Sequence, residues 1–405
     1  MRTVALVAPY ATPNTLRYVL ALTELPGVRS VIISADPAAR FPPALRERIG
    51  AFEKVTDCFS AQQLASALKR AATRVGPIDR VFGVLEQLQL AVAGARDVVG
   101  IPGMSLEVVT RFRDKSVMKA HLRAAGVPCA RFARVESNAD AERICDEVGF
   151  PVIIKPVDGL GARATFRVSD AKELADALRR TRPSAKNPWQ IEEFLAGTEH
   201  SFETVTIGGK HIWSSSTHYL PGPLAAMENP WIQYCVVLPR EDDSITRFSP
   251  INHAALDALG MQTGLSHMEW FTRPDGSMAV NEVGARPPGV NIMPLMSITH
   301  GVDMVKAWVR LMALDTFDPP TRRRAAGCAF LRGQGAGSRV VGVRGLDRVH
   351  EEVGKWIVSA TIPTAGDPRA TGYEGEGHVI VAAETTAEVE MALTRIIQTV
   401  RVDLG

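Results

Sequence analysis

The chain has 405 residues, of which 22% are charged and 46% are apolar. This composition excludes an intrinsically disordered protein, and the length allows two or three domains. The net charge of +2 offers no electrostatic argument for a nucleic acid or an anionic membrane as a partner. The five cysteines are far apart and form no CxxC pair, which indicates neither a zinc site nor a disulfide framework. Without a signal peptide or a membrane-spanning run, we expect a cytoplasmic protein.

Residues 1–112 alternate short apolar runs with helical patterns, which predicts βαβ units and an N-terminal Rossmann-like α/β domain. Ligands of such parallel sheets bind at the carboxyl ends of the strands, where Pro9-Tyr10 and Glu86 would lie. No GxGxxG follows the first strand, so dinucleotide binding has no support. The predicted strands are residues 4–8, 28–34 and 80–85, and the predicted helices are residues 15–25, 61–75 and 87–99.

The next stretch combines a lysine-bearing helix with a glycine-rich turn. Residues 113–125 predict a helix that faces outward with Lys115 and Lys119, where solvated charge is the ordinary interpretation. Residues 151–156 predict a strand that ends near Lys155 and runs into Gly159 and Gly161. Glycines there allow the backbone to approach phosphates, although a hairpin turn would explain them equally well.

Acidic residues follow on the next strand. A helix over residues 170–180, begun by Ser169, precedes a strand over residues 189–195 that contains Glu192 and Glu193. Gly208-Gly209 predicts a hairpin between residues 201–207 and 210–217. Residues 218–234 are rich in proline and aromatic residues without clear periodicity. A long loop of this kind is either functional or a rigid crossing, and we favour a functional loop.

Residues 267–289 predict a hairpin with a two-residue turn at Asp275-Gly276. That turn would pair Arg273 with Met278, Phe271 with Val280, and Glu269 with Glu282. Opposed carboxylates lie roughly 4.5–5.5 Å apart at their Cβ atoms and repel each other unless a cation neutralises them. The cation is either Mg²⁺, which prefers carboxylate oxygens, or a guanidinium of Arg273 or Arg286. The hairpin alone leaves both interpretations open.

The remainder predicts a helix over residues 301–314 and a linker at Asp318-Pro319-Pro320. Residues 319–405 predict a small C-terminal α+β domain with strands at residues 328–331, 356–362 and 378–383 and a helix at residues 386–400. This segment has few convergent polar groups, and we single out no site residue in it.

Taken in order, these pieces resemble the ATP-grasp superfamily. The resemblance rests on RDKSVMKAHLRAAGVP with Lys115, FPVIIKPVDGLGARA with Lys155, IEEFLAGTEHSFE, HMEWF and NEVGAR. It implies an ATP-grasp fold for residues 113–318, with a lid at about residues 120–196. It also implies that Lys115 and Lys155 hold the α- and β-phosphates of ATP, for which compact ammonium groups are suited. Gly159, Gly161 and Arg163 would belong to the loop over the γ-phosphate.

The same resemblance implies roles for the acids. Glu192 would accept from adenine, helped by the backbone of Glu193, Phe194 and Leu195, and Glu199 would bind the ribose. Glu269 and Glu282 would hold Mg²⁺ (or Mn²⁺). Many members place Asn two positions after the second Glu, where this chain has Gly284, so the number of metal ions stays open.

The substrate end has its own candidates. The resemblance implies that Arg286 binds a substrate carboxylate or the oxyanion of the intermediate, since a guanidinium suits both. His267 and His218 are candidates to orient or deprotonate the nucleophile, with a structural role as the alternative for each. Specificity is expected from residues 9–12, 218–234 and 287–291 and from Glu86, and we single out Tyr219, Gly289 and Asn291 as substrate contacts.

The implied activity is a carboxylate–amine ligase, closest to amino-acid ligases that make dipeptides, because of the domain order and the short Glu-x-Gly-Ala-Arg pattern. A biotin-carboxylase-like enzyme is the second reading, although its longer motif after the metal Glu is missing. A nucleotide-binding regulatory protein without turnover is the third, supported by Gly284 and the altered glycine loop. The acid, the amine and the oligomeric state stay open, with a homodimer as one alternative.

Overall fold

The computed structural model describes residues 1–159, 164–229 and 232–405. The strands of these residues form four sheets, and helices pack against them in a mixed α/β fold, as predicted. Within the described ranges, no helix is both long and apolar enough to cross a membrane.

The N-terminal part is a four-stranded parallel sheet of order β3-β2-β1-β4, which confirms the predicted parallel pairing. The sheet was predicted without β3, a strand of four residues. Its elements are β1 (Arg2–Val7), α1 (Pro13–Thr23), β2 (Val28–Ser34), α2 (Pro43–Arg46), β3 (Ala51–Lys54), α3 (Ala61–Val75), β4 (Arg80–Gly83) and α4 (Gln89–Val99).

Two helices lead into a second sheet, which is antiparallel, has the order β5-β8-β6-β7 and lies where the lid was predicted. Asp114 caps the second helix by accepting from the Ser116 and Val117 N–H groups, which starts that helix at Lys115. Asp170, and not Ser169 as predicted, caps α8, because its side chain accepts from Glu173 N–H. The elements are α5 (Leu106–Arg113), α6 (Lys115–Ala124), β5 (Phe132–Val135), α7 (Asn138–Val148), β6 (Val152–Pro156), β7 (Phe166–Val168), α8 (Ala171–Thr181) and β8 (Trp189–Glu193).

The body of the molecule is built on an eight-stranded antiparallel sheet. Gly208 and Gly209 make the predicted hairpin turn between its first two strands. The predicted loop at residues 218–234 is only partly a loop, because β10 extends to Leu220, a short helix follows and β11 begins at Tyr234. The elements are β9 (Thr198–Ile207), β10 (Lys210–Leu220), α9 (Pro223–Glu228), β11 (Tyr234–Leu238), α10 (Ser244–Leu259), β12 (Gly264–Thr272), β13 (Met278–Gly284), α11 (Ile292–His300) and α12 (Met304–Leu314).

The C-terminal segment contributes three strands to the same large sheet, whose order is β13-β12-β9-β10-β11-β14-β18-β17. The sheet therefore runs across the boundary predicted between residues 318 and 319. A separate three-stranded sheet of order β15-β19-β16 completes this segment. The elements are β14 (Ala325–Leu331), β15 (Gly333–Gln334), β16 (Val340–Arg344), α13 (Leu346–Val353), β17 (Ile357–Thr361), β18 (Gly377–Ala383), α14 (Thr386–Thr399) and β19 (Arg401–Leu404).

One apolar cluster joins the N-terminal sheet to the body. Trp308 of α12 packs edge-on against Tyr18 of α1 and Phe82 of β4, with ring centroids 5.4 and 5.3 Å apart. The same cluster continues into α11, β11 and β14. This packing fixes the carboxyl end of the parallel sheet beside the large sheet, and a cavity lies where the two meet the lid.

Candidate active site

The cavity has a volume of about 540 Å³. Its lining side chains come from four regions: the N-terminal α/β part, the β5-β8-β6-β7 sheet, the large sheet and the C-terminal segment. The wall contains most of the residues that the sequence predicted for the site: Glu86, Lys115, Lys155, Gly159, Glu192, Glu193, Phe194, Leu195, Glu199, Tyr219, His267, Glu269, Glu282, Arg286 and Gly289.

Two predicted residues lie off this wall, and two fall outside the described residues. His218 Nε2 lies 2.9 Å from Asp242 Oδ2, and its ring packs edge-on against His200. Asn291 donates to Cys328 Sγ over 3.5 Å. Gly161 and Arg163 lie outside the part of the chain that the structure describes.

The hairpin of β12 and β13, which carries Glu269 and Glu282, differs from its prediction in the turn but not in the acidic pair. Residues 273–277 form a longer turn, closed by Arg273 N–H donating to Ser277 O over 2.8 Å. Asp275 stabilises the longer turn because its carboxylate accepts from both the N–H and the hydroxyl of Ser277. Phe271 therefore pairs with Ala279 and Thr272 with Met278, so the predicted pairs of Phe271 with Val280 and Arg273 with Met278 are wrong.

A β-bulge then restores the predicted alignment. The register shifts between Glu269 and Trp270, so that Trp270 pairs with Val280 while Glu269 still pairs with Glu282. Asn281 is the extra residue, and it lines the cavity together with Glu282. Asn281 was not among the predicted site residues, and its amide nitrogen lies 3.4 Å from Glu269 Oε2.

Neither guanidinium proposed as the neutralising group pairs with the two acids. Arg273 binds Glu193, and Arg286 binds Glu86 through Nε over 2.5 Å. Instead, Lys115 Nζ lies 2.8 Å from Glu282 Oε1, and His267 Nε2 lies 3.8 Å from Glu269 Oε1. A lysine and a histidine thus offset the acidic pair.

The lysines of α6 are buried, so the prediction of an outward-facing helix is wrong. Lys115 is 4% exposed and Lys119 is fully buried. Lys119 Nζ lies 2.8 Å from Glu192 Oε2, and Lys155 Nζ lies 2.5 Å from Glu192 Oε1. Burial alone would raise the pKa of Glu192, but the two ammonium groups lower it to about 2. The carboxylate of Glu192 is therefore already occupied by two lysines.

Glu86, which follows the last strand of the N-terminal sheet, connects that sheet to Arg286 on the cavity wall. Its carboxylate contacts the guanidinium groups of Arg113 and Arg286. Burial opposes ionisation, yet Arg286 and Arg113 hold the pKa of Glu86 below its usual value. The geometry makes Glu86 an anchor for Arg286, whose Nη1 also donates to Pro287 O over 3.0 Å.

His267 lies between two acids. Its Nδ1 lies 2.8 Å from Oε1 of the buried Glu203, which also accepts from Ser201 and Thr217 hydroxyls. Burial alone would lower the pKa of His267, but the bonds to Glu203 and Glu269 raise it to about 9. His267 is thus an imidazolium near neutral pH and a poor general base, so its geometry favours orienting Glu269 over accepting a proton.

Glu199 differs from the other acids of the wall. Burial and the neighbouring Glu269 carboxylate raise the pKa of Glu199 well above its usual value. Three tyrosines continue the wall beyond it. Tyr219 and Tyr234 stack with centroids 6.3 Å apart, and Tyr373 meets Tyr234 edge-on at 5.4 Å. Tyr373 and Glu374 come from the C-terminal segment, in which no site residue was predicted. The flanking Gly372 and Gly375 are the one sequence signal there, and they favour a turn without pointing to a site.

Comparisons with known proteins agree with this architecture. The sequence profile of the ATP-grasp domain matches residues 120–290. The chain is 26% identical over 241 residues to the carbamoyl phosphate synthase large chain of Methanothermobacter thermautotrophicus, covering 57% of this chain and 22% of that protein. It is 23% identical over 252 residues to the L-arginine-specific L-amino acid ligase of Bacillus subtilis, covering 61% of this chain and 60% of that protein. The chain thus spans less than two thirds of either relative.

A solved structure matches over the full length. The L-amino acid ligase from Bacillus licheniformis superposes with a TM-score of 0.78 and 18% identity, covering 100% of this chain and 99% of that one. At 18% sequence identity, this structural similarity establishes the fold alone. Residues 120–290 match the ATP-grasp domain, and the chain has an ATP-grasp fold, as its motifs predicted.

Proposed function

We propose that this chain is an ATP-dependent ligase that joins a carboxylate to an amine through an acylphosphate. One observation carries the proposal: the opposed carboxylates Glu269 and Glu282 share a cavity with Lys115, Lys155 and the anchored guanidinium of Arg286. Cations for phosphates, oxygen donors for a divalent metal and a carboxylate-binding guanidinium are the groups that this reaction requires.

ATP would lie between the lid and the large sheet. Ile153, Phe194 and Leu195 give one end of the cavity an apolar surface for a base. Since Glu192 is occupied by two lysines, backbone groups of Glu193 and Leu195 are the better partners for adenine. Lys115 and Lys155 would bind the phosphates, as the family resemblance implies. Two contacts support this nucleotide orientation: Lys155 Nζ lies 2.5 Å from Glu192, the neighbour of Glu193, and Lys115 Nζ lies 2.8 Å from Glu282 of the acidic pair.

The acidic pair suits Mg²⁺ or Mn²⁺. Glu269 and Glu282 offer carboxylate oxygens from opposite positions of one hairpin. Asn281 lies beside them with its amide nitrogen 3.4 Å from Glu269 Oε2 and its oxygen accepting from Lys155 Nζ, so a flip of the amide would turn that oxygen toward a bound cation. A cation bound there would offset the charge on the phosphates of ATP. Gly284 has no side chain that could bind a metal ion. We propose that Asn281, which lies on the cavity wall, supplies the amide oxygen that an Asn at position 284 would otherwise provide.

The reaction then has two steps. A carboxylate oxygen of the acid substrate bonds to the γ-phosphorus while the bond to the bridging oxygen breaks, which releases ADP and leaves an acylphosphate. The amine nitrogen next bonds to the carbonyl carbon, phosphate leaves with the carbon–oxygen bond, and the nitrogen gives a proton to solvent or phosphate. Arg286 would hold the substrate carboxylate and the oxyanion, with backbone N–H groups from Gly289 onward.

The remaining wall gives the substrates their surroundings. Tyr219 and Tyr234 line the same cavity as Glu199, as do Pro223 and Leu224. This part of the predicted loop at residues 218–234 would therefore contact the acid or the amine. Small molecules fit a cavity of this volume, whereas a macromolecule would not enter it.

The test is ADP and phosphate release from ATP and Mg²⁺ with amino-acid mixtures. A ligase requires a carboxylate together with an amine, and Glu282→Gln should abolish turnover. Glu384→Gln, an exposed surface acid, is the matched control and should turn over normally. ADP release that depends on bicarbonate and biotin would point to the carboxylase reading instead. ATP binding without turnover under every mixture would point to a regulatory protein.

A further inference from the structure

Glu203 is a buried acid that stands behind the cavity wall. It lies on β9 with no exposed surface, and it is not one of the described residues that line the cavity. His267 of β12 lies directly opposite Glu203 across the sheet. Glu269 follows two positions after His267, so both side chains are on the same face of β12, and both line the cavity. Glu203 thus reaches the cavity through His267, and no role was predicted for it.

Three hydrogen bonds hold the carboxylate of Glu203. Its Oε1 accepts from the Ser201 hydroxyl and from His267 Nδ1, each over 2.8 Å, and its Oε2 accepts from the Thr217 hydroxyl over 3.3 Å. Ser201 and Thr217 are fully buried as well. In the described parts of the chain, His267 is the one cationic side chain that forms an ion pair with Glu203. Because an unmade hydrogen bond to a buried charged group is costly, β9 and the neighbouring β10 fix the position of this carboxylate.

The bond to Glu203 sets the orientation of the His267 ring. A carboxylate only accepts hydrogen bonds, so His267 Nδ1 carries a proton and is the donor. With Nδ1 held in this way, Nε2 lies on the other side of the ring, 3.8 Å from Glu269 Oε1. At this distance the imidazolium attracts one oxygen of Glu269. The orientation of the Glu269 carboxylate determines which of its oxygens is offered to a metal ion.

We propose that Glu203 is a positioning residue for Glu269 and that it acts through His267. Glu203 holds the histidine ring, and the ring holds the carboxylate that faces Glu282 across the hairpin. This inference rests on the proposed function, in which Glu269 and Glu282 bind Mg²⁺ or Mn²⁺. Residues behind the ligands of a metal ion orient those ligands, and removing one such residue lowers metal affinity roughly 10- to 100-fold.

A merely structural role for Glu203 makes a different prediction. If Glu203 only links β9 to β10 and β12, its loss lowers the stability of the fold and leaves metal binding as it was. Thr204 offers the matched control, because it lies next to Glu203 on the opposite face of β9. It is fully buried, and its hydroxyl donates to Asn252 Oδ1 over 2.8 Å. Thr204→Val therefore removes a buried hydroxyl from the same strand without touching the contacts that lead to Glu269.

The experiment measures the Mn²⁺ concentration that half-saturates the binding of a non-hydrolysable ATP analogue, by calorimetry at a series of Mn²⁺ concentrations. It requires no turnover, so the substrates need not be known. Glu203→Gln keeps the shape of the side chain but not its charge. We expect the Mn²⁺ requirement of Glu203→Gln to rise roughly 10-fold, with the affinity for the analogue in the absence of metal unchanged. Glu203→Asp keeps the charge and should restore part of the loss. Thr204→Val should match the wild type in its Mn²⁺ requirement, even where its melting temperature is lower.

A double variant decides whether Glu203 acts through His267. His267→Gln should raise the Mn²⁺ requirement by itself, and adding Glu203→Gln to it should cause no further rise. Two results overturn the inference: an unchanged Mn²⁺ requirement in Glu203→Gln, or a full further rise in the double variant.

The remaining outcomes are decided in the same titration. If Glu203→Gln does not fold, Ser201→Ala takes its place, because it removes one of the donors that hold the carboxylate. A higher Mn²⁺ requirement in Ser201→Ala then supports the inference, and an unchanged one refutes it. A wild type that binds the analogue equally well with and without Mn²⁺ refutes the metal site and this inference together. A wild type that shows the Mn²⁺ dependence but no ligase turnover refutes the ligase function alone, and the titration still decides the role of Glu203.

Discussion

The buried triad of Lys119, Glu192 and Lys155 allows a sharp stability prediction. Glu192 is 3% exposed, Lys119 is fully buried and Lys155 is 6% exposed. Glu192→Gln keeps the shape of the side chain and removes the one charge that both lysines share. Lys155 retains Asn281 Oδ1 at 3.4 Å and other acids nearby, so Lys119 is the ammonium group left without compensation. Breaking a buried pair in this way costs about 3–5 kcal/mol, which is the loss in free energy of unfolding that we expect.

The assay is urea unfolding at pH 7, followed by circular dichroism, with two comparisons. Glu193→Gln changes the adjacent residue, whose partners Arg131 and Arg273 are 46% and 31% exposed, and should cost less than about 1 kcal/mol. Adding Lys119→Met to Glu192→Gln removes the uncompensated ammonium group and should recover part of the loss. Equal losses in Glu192→Gln and Glu193→Gln, or no recovery in the double variant, would refute the reasoning.

Three further predictions concern the site. Glu86→Gln loosens Arg286, so kcat/KM for the acid substrate should fall roughly 10- to 100-fold with KM for ATP little changed; an equal rise in KM for ATP would contradict this. Asn281→Ala should raise the Mg²⁺ concentration needed for ATP binding roughly tenfold in calorimetry, and Asn281→Asp should not. The folded pKa of His267, about 9, exceeds the usual 6.5. The protonated His267 therefore contributes about 3 kcal/mol to the free energy of unfolding. This contribution is complete below pH 6.5 and is lost as the pH rises through about 9. The stability gap between wild type and His267→Gln in urea unfolding should shrink from pH 6 to pH 10, and a constant gap would contradict the assignment.

Local features of the chain were predictable because their causes are local. Helix α3 has the predicted bounds, since Ser60 caps its start and Gly76 stops it. The position of Lys155 near the end of a strand was predictable because apolar residues of β6 precede it. The strand β3 was missed because its four residues carry two charges and show no apolar run. Periodicity also cannot tell which element covers a helix, so Lys119 was assigned to solvent although Glu192 lies over it.

The C-terminal contribution to the cavity shows a different limit. Tyr373 and Glu374 lie more than eighty residues beyond Arg286 in the chain, and no spacing relates the two. They meet because β14, β18 and β17 extend the same sheet as the hairpin of β12 and β13. That pairing depends on which strand edges remain open once the body has formed, and such a contact is a property of the whole fold.

The pairing of Glu269 with Glu282 was predicted correctly, although the predicted two-residue turn was wrong and the β-bulge was not foreseen. Lengthening the turn moves the pairing by one residue, which alone would place Glu269 opposite another residue and turn one acid toward the opposite face. The bulge at Asn281 moves the pairing by one residue again, so the two acids meet. Lys115 and His267 offset the two charges, and we propose that a bound cation is the reason why the pair persists through two compensating irregularities. The second irregularity is also what brings the amide of Asn281 to the wall, beside the carboxylate that it would assist.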